Sequence, residues 1–160
     1  MTAQVGRTVS KWTDFQIDDS GGTLRSIPVT SITGVGFTFE EMDVSAMQEQ
    51  IKNYLPGQKE FAMTITGPFD NTTAQSAGTL SGSNTILSAT VGGVTPLSLN
   101  IQIGMRHAWE SGEPTFGITS SSTSGVLVTS YVTDLAAMTY AATIKVMGAT
   151  SPSFATTAFT

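Results

Sequence analysis

The stretch Asp43–Asn71, DVSAMQEQIKNYLPGQKEFAMTITGPFDN, decides the fold expected of this chain, because a helical period gives way within it to a strand period. Val44, Met47, Ile51 and Tyr54 recur at spacings of three, four and three. That predicts one apolar helix face over about residues 44–54, with Asp43 or Ser45 capping its first N–H groups. Pro56-Gly57 is a stop signal. Phe61, Met63 and Ile65 then alternate with Ala62, Thr64 and Thr66, as in a strand with one buried face, until Gly67-Pro68 interrupts pairing. The helix is expected to pack its stripe on the sheet of its own subunit, leaving Gln48, Glu49, Gln50, Lys52 and Asn53 to solvent or a neighbour.

Strand signals dominate on both sides of this stretch. Phe15 and Ile17 alternate with Asp14, Gln16 and Asp18 before the turn Asp19-Ser20-Gly21-Gly22, so a hairpin into the apolar segment Leu24 to Ile32 is expected. Phe37 and Phe39 alternate next, and Glu40, Glu41 and Asp43 form an acidic lead-in suited to a helix N-terminus. Residues 70–96 are rich in turn formers around one expected strand at Thr85 to Val91. Leu97, Leu99, Ile101, Ile103 and Met105 show the strictest two-residue period, and their alternate face of Ser98, Asn100 and Gln102 suits either solvent or a subunit contact. Further strands are expected at 126–132 and 138–146, with loops at 107–115 and 120–125. The reading is therefore a single mainly β domain over 1–160, a sandwich or partly open barrel of antiparallel strands with one flanking α-helix. A flexible N-terminal arm (about 1–10) and a C-terminal tail (about 149–160) lie outside the periodic segments.

Composition narrows the function. At 160 residues one core is expected. Only 12% of residues are charged, about half the usual share, and Ser and Thr supply about a quarter of the chain. A neutral, hydroxyl-rich β surface has little protection against association, which fits a chain made to self-associate. The net charge of −5 and scattered basic residues argue against gripping nucleic acid through its phosphates. There are no cysteines, so neither disulfides nor thiolate metal sites contribute. No apolar run is long enough to span a bilayer and MTAQVGRTVSKW has no secretory pattern, so assembly in a cytoplasm is the expectation.

The candidate chemical sites are weak. His107, Glu110 and Glu113 offer one histidine and no thiol, short of the usual zinc donor set. A triad through His107 lacks a nucleophile elbow, and Gly34-Val35-Gly36 lacks the third glycine of a dinucleotide loop. Asp18-Asp19 and Glu40-Glu41 are adjacent, so on strands each pair points to opposite faces. Trp12 and Trp109 suit either a core or a sugar-stacking platform in a carbohydrate-binding or adhesin-like module. No catalytic, cofactor-binding or metal residue is therefore expected, and an enzyme is the least supported class.

Lys52, Tyr54, Leu55, Pro56 and Gly57, followed by Ile65 and by Thr66-Gly67-Pro68-Phe69-Asp70-Asn71, resemble the major tail tube proteins of long-tailed bacteriophages of the siphophage type. The resemblance spans about residues 10 to 75, with the β-rich remainder similar in style. It implies a β-sandwich or barrel-like subunit with a flanking helix, assembling into hexameric rings that stack into a hollow tube for DNA passage. The implied partners are further copies of the chain and the tape measure, tail tip and terminator proteins, with DNA only as transiting cargo and no membrane insertion. The implied location is the virion tail, assembled in the host cytoplasm. A related virion ring protein, a tail terminator or neck component, is the alternative within this class. The N-terminal arm, the loops at 70–84 and 107–115 and the terminal tail are the expected contact surfaces, and acidic residues are expected to outnumber basic ones in the lumen.

Overall fold

The strand periods of the sequence pair up as two facing sheets. The structure, a computed structural model, describes residues 6–47, 50–76 and 78–160. After a 3₁₀ turn at Ser10–Trp12, strands β1 (Thr13–Asp18), β2 (Leu24–Ser26), β7 (Leu99–Ile103), β8 (Thr115–Ile118) and β11 (Ser153–Ala155) form one antiparallel sheet in the order β11-β8-β7-β1-β2. Strands β3 (Ser31–Thr33), β6 (Ala62–Pro68), β9 (Gly125–Asp134) and β10 (Thr139–Met147) form the second, in the order β3-β6-β10-β9. Neither sheet closes as a barrel. Their inner faces supply one core, which includes Phe15, Ile17, Met63, Ile65, Leu99, Ile101, Phe116, Val126, Val128, Tyr140 and Ile144. The alternation at Phe61-Met63-Ile65 thus buries as expected, while β6 continues through Gly67-Pro68, where Pro68 opposes Thr139. Gly67 is required there, since a Cβ would fall 2.5 Å from the Pro28 carbonyl oxygen and 3.1 Å from the Tyr140 hydroxyl.

The expected helix over 44–54 is not formed. Strands β4 (Thr38–Asp43) and β5 (Tyr54–Glu60) pair instead as a separate two-stranded ribbon, with Asp43 opposite Tyr54 and Met42 opposite Leu55. The described residues between them, 44–47 and 50–53, are non-helical; Gln48 and Glu49 lie outside the described residues. Val44, Met47, Ile51 and Tyr54, the predicted stripe, are all exposed and meet no sheet. An isolated segment of this length is marginal as a helix unless its apolar face is buried, so strand pairing prevails. Pro56-Gly57, read as a helix stop, lies at a bulge where the register shifts between Phe39 and Glu41.

The one α-helix among the described residues, α1 (Ser83–Thr90), falls where a strand was expected. Its buried residues are Ser83, Ile86, Leu87 and Thr90, spaced three, one and three, which is a helical face. Two of the four are hydroxyl residues, so the stripe is obscured when only apolar side chains are counted. Their polarity is satisfied locally: Ser83 Oγ donates to the Pro68 carbonyl at 2.9 Å and Thr90 Oγ1 to the Ile86 carbonyl at 3.0 Å.

The C-terminal stretch, read as a flexible tail, is tied to the first sheet. Phe154 opposes Phe116 in β11–β8, Thr115 Oγ1 donates to the Thr157 carbonyl at 2.9 Å, and the Thr160 N–H donates to Thr119 Oγ1 at 3.2 Å. This segment covers the polar face of β7, so Asn100 is only 1% exposed. Residues 1–5 of the N-terminal arm lie outside the described residues; from Thr8, whose hydroxyl donates to the Gly104 carbonyl, the chain follows the end of β7.

Candidate assembly surfaces

Three surfaces have features that the fold of a single copy leaves unused. The first is the β4–β5 ribbon. Its root is held by Phe37 and Phe61, whose rings lie 5.8 Å and 5.7 Å from that of Phe116, and the Lys59 ammonium sits 3.5 Å from the centre of the Phe37 ring. Beyond the root, Phe39, Met42, Leu55 and Tyr54 are all exposed, Ile51 is 77% exposed and Met47 is fully exposed. The chain between the strands is nevertheless shaped: Asp43 Oδ1 accepts the Ser45 N–H at 3.0 Å, and the Asn53 N–H donates to Ser45 Oγ at 2.7 Å. These apolar side chains project into water.

The second surface is the four-stranded sheet. Its outward side chains include Ser31, Thr33, Thr64, Thr139, Ala141 and Lys145, a hydroxyl-rich face. Its edges are β3 and the ten-residue β9. Past the point where Val128 accepts the Gly92 N–H, β9 carries Ser130, Tyr131, Val132 and Thr133 with no charge before Asp134. An uncharged edge of that length is open to pairing with another chain. Val132, Leu135 and Met138 expose apolar surface at its tip, where Asp134 Oδ1 accepts the N–H groups of Ala136 and Ala137.

The third is the loop at 107–115, organised around the wholly buried Glu113. Glu113 Oε2 accepts the Glu110 N–H at 3.0 Å, and Oε1 lies 3.3 Å from His107 Nε2. His107 and Glu113 therefore meet, while Glu110 contributes its backbone and not its carboxylate. Among the described residues no group of three His, Cys, Asp or Glu is disposed to hold a metal ion. Both tryptophans border this loop and are half-buried. The Trp109 indole N–H donates to the Glu113 carbonyl at 3.0 Å, and the Lys11 ammonium lies 4.3 Å from the centre of the Trp12 ring. In the 70–84 loop, Asp70 Oδ1 accepts from Thr72 N–H and Oγ1, and the hydrogen bonds hold its carboxyl below the usual range.

The paired acids separate as well. Burial pushes the Asp18 carboxyl up, against the hydrogen bonds from Ser98. Burial also pushes on Asp19, but the Thr23 and Gly21 N–H groups and the Arg25 guanidinium, 2.8 Å away, together hold it below the usual range. Glu40 and Glu41 lie on the exposed ribbon. Among the described residues no helix is long and apolar enough to cross a membrane.

Solved structures share this arrangement. The chain aligns with the sheath/tube terminator of the PVC extracellular contractile injection system at a TM-score of 0.58 and 14% identity, covering 96% of this chain and 99% of the other. The likeness is one of fold. A chain of the PVC sheath-tube complex aligns at 0.52 and 14% identity, covering 94% and 92%, and the tube-terminating cap of the anti-feeding prophage at 0.54 and 14%, covering 98% and 96%. No protein-family model matches the sequence, and no curated protein matches it. What sequence reasoning missed is the ribbon: the residues of the predicted helix stripe are exposed on it, and period alone does not distinguish an exposed apolar stripe from one that faces a core.

Proposed function

We propose that the chain is a self-assembling structural subunit of a phage-type tail, forming hexameric rings that stack into the tube through which DNA passes. The observation that carries this is the β4–β5 ribbon, on which Phe39, Met42, Met47, Ile51, Tyr54 and Leu55 present exposed apolar surface. The open edges β3 and β9 support it, since pairing each edge with the next copy removes both on ring closure. The tail proteins that share the fold add further support. In this reading the four-stranded sheet lines the channel, and its hydroxyl-rich face lets DNA slide without phosphate contacts. The subunit performs no turnover and needs no cofactor. Its partners are further copies and the tape measure, tail tip and terminator proteins, within the virion tail.

A terminator role is the second reading, supported by the likeness in fold to a chain of the PVC sheath/tube terminator structure and of the anti-feeding prophage cap. Negative-stain electron microscopy and sedimentation across concentration separate the two. Hollow tubes of uniform width are expected for the tube subunit, isolated rings for the terminator, and a monomer at every concentration overturns self-assembly altogether.

A further inference from the structure

An apolar groove of about 510 Å³ opens between the two sheets, lined by Phe15, Ile27 and Ile101 at its floor and by Ile32, Val35 and Leu80 nearer its mouth. Among the described residues, none of the β4–β5 ribbon or its loop lines it, so the described ribbon of one copy leaves its own groove open. Its wall also carries the hydroxyls of Ser10, Thr13, Thr30 and Ser31 and the Asp14 carboxylate, which accepts from Gln16 Nε2 at 2.7 Å and Ser26 Oγ at 3.0 Å. The larger part of the lining is apolar and suited to aliphatic side chains.

We propose that this groove receives the ribbon tip, Met47 and Ile51, of a second copy of the chain; the proposal rests on the self-assembly reading above. Two independent features select that occupant. The tip is the chemical complement of the groove, bearing an unbranched Met and a β-branched Ile that are among the most exposed large apolar residues described. The charges around the two are opposite. The ribbon and its loop, residues 38–60, carry Glu40, Glu41, Asp43, Glu49 and Glu60 against Lys52 and Lys59. Ser10 and Ile103 line the groove, and the exposed Arg7, Lys11 and Arg106 lie within three residues of them along the chain. There Thr8 is bonded to Gly104, and Gly6 faces the Arg106 guanidinium at 3.6 Å from its ideal Cβ position. Three of the seven basic residues thus lie close in the chain to groove residues, while Asp14 is the one charged residue in the lining itself. Complementary charge fixes which way the tip enters and speeds encounter, while apolar burial holds it.

Knob and groove are different patches, so the contact is heterologous: each copy offers its tip to the next and its groove to the one before. Passed head to tail, that contact suits ring or stack growth, whereas reciprocal exchange between two copies would close a two-fold dimer.

The chain has no cysteine, so disulfide trapping has no background. Two single variants, Met47→Cys and Leu80→Cys, are mixed, assembled and mildly oxidised, beside a control mixture of Met47→Cys with Val94→Cys. Val94 is exposed and lies outside the groove. The expected result is mixed Met47→Cys/Leu80→Cys dimers at ten-fold or more over the control pair. Assemblies that form while both mixtures cross-link equally overturn the groove contact and leave self-assembly standing. A wild-type chain that stays monomeric at all concentrations overturns self-assembly, and the groove contact with it.

Discussion

The Phe159 N–H donates to Asn100 Oδ1 at 3.3 Å, while Asn100 Nδ2 donates to Gln16 Oε1 at 2.9 Å, so the end of the chain completes the hydrogen bonding of a buried amide on β7. Removing residues 149–160 uncovers Asn100, frees the edge of β8 and takes the Phe154 ring from its place 4.8 Å from Phe116. The truncated chain is expected to lose about 1–3 kcal/mol for the orphaned polar group alone, with more from the lost packing. Thermal or urea unfolding of the soluble truncation reads this directly, and an unchanged midpoint refutes it.

The ribbon behaves in the opposite way. Met47→Asp and Ile51→Asp change exposed positions, so each is expected to alter unfolding free energy by no more than about 0.5 kcal/mol. Assembly, followed by sedimentation, is expected to fail in both. Normal assembly by a well-folded Ile51→Asp variant removes the ribbon from the interface.

Leu87 tests the position of the helix. It is fully buried on α1, and Leu87→Ala is expected to cost about 2–5 kcal/mol through lost burial and the cavity left behind. Ile51→Ala, had the helix been at 44–54, would cost a comparable amount; on the exposed ribbon it is expected to cost almost nothing. The pair of denaturation curves discriminates the two placements.

Asp18 and Asp19 impose opposite pH dependence. The folded pKa of Asp19 lies below its ordinary value of 3.8, so its contribution to stability is present above that pH and is lost as pH falls through the depressed value. The folded pKa of Asp18 lies above 3.8, so its contribution is present below 3.8 and is lost as pH rises through the raised value. Asp19→Asn is expected to flatten the acid limb of the stability profile, and Asp18→Asn to remove the decline just above pH 3.8. Urea unfolding at a series of pH values checks both; two superimposable mutant profiles contradict the assignment.

Glu113 is expected to matter for the loop more than for the sheets. Glu113→Ala leaves the Glu110 N–H without its carboxylate acceptor inside a buried site, at a cost of about 1–3 kcal/mol. Amide hydrogen exchange is expected to accelerate at 104–113 before it does in β9 and β10.

Sequence alone determined the strands that alternate strictly. Phe15-Ile17, Met63-Ile65 and Leu99-Ile101 lie in buried strands as read, and Phe61 is buried between β5 and β6, because a two-residue period has only one way to bury all its apolar members. It also determined the Asp19–Gly22 turn, where Asp19 Oδ1 accepts the Gly21 and Thr23 N–H groups, a local bond that needs no distant partner. Tertiary structure decided the rest. Val44, Met47 and Ile51 have a helical period yet no sheet to meet, whereas Ser83, Ile86, Leu87 and Thr90 form a helix because Pro68 and the core receive that face. Ser98 and Asn100 read as a surface and became an interior, since the C-terminal segment supplies their hydrogen bonds. Local pattern specifies which side chains share a face; only the folded chain specifies whether that face meets its own core, its own terminus or another copy.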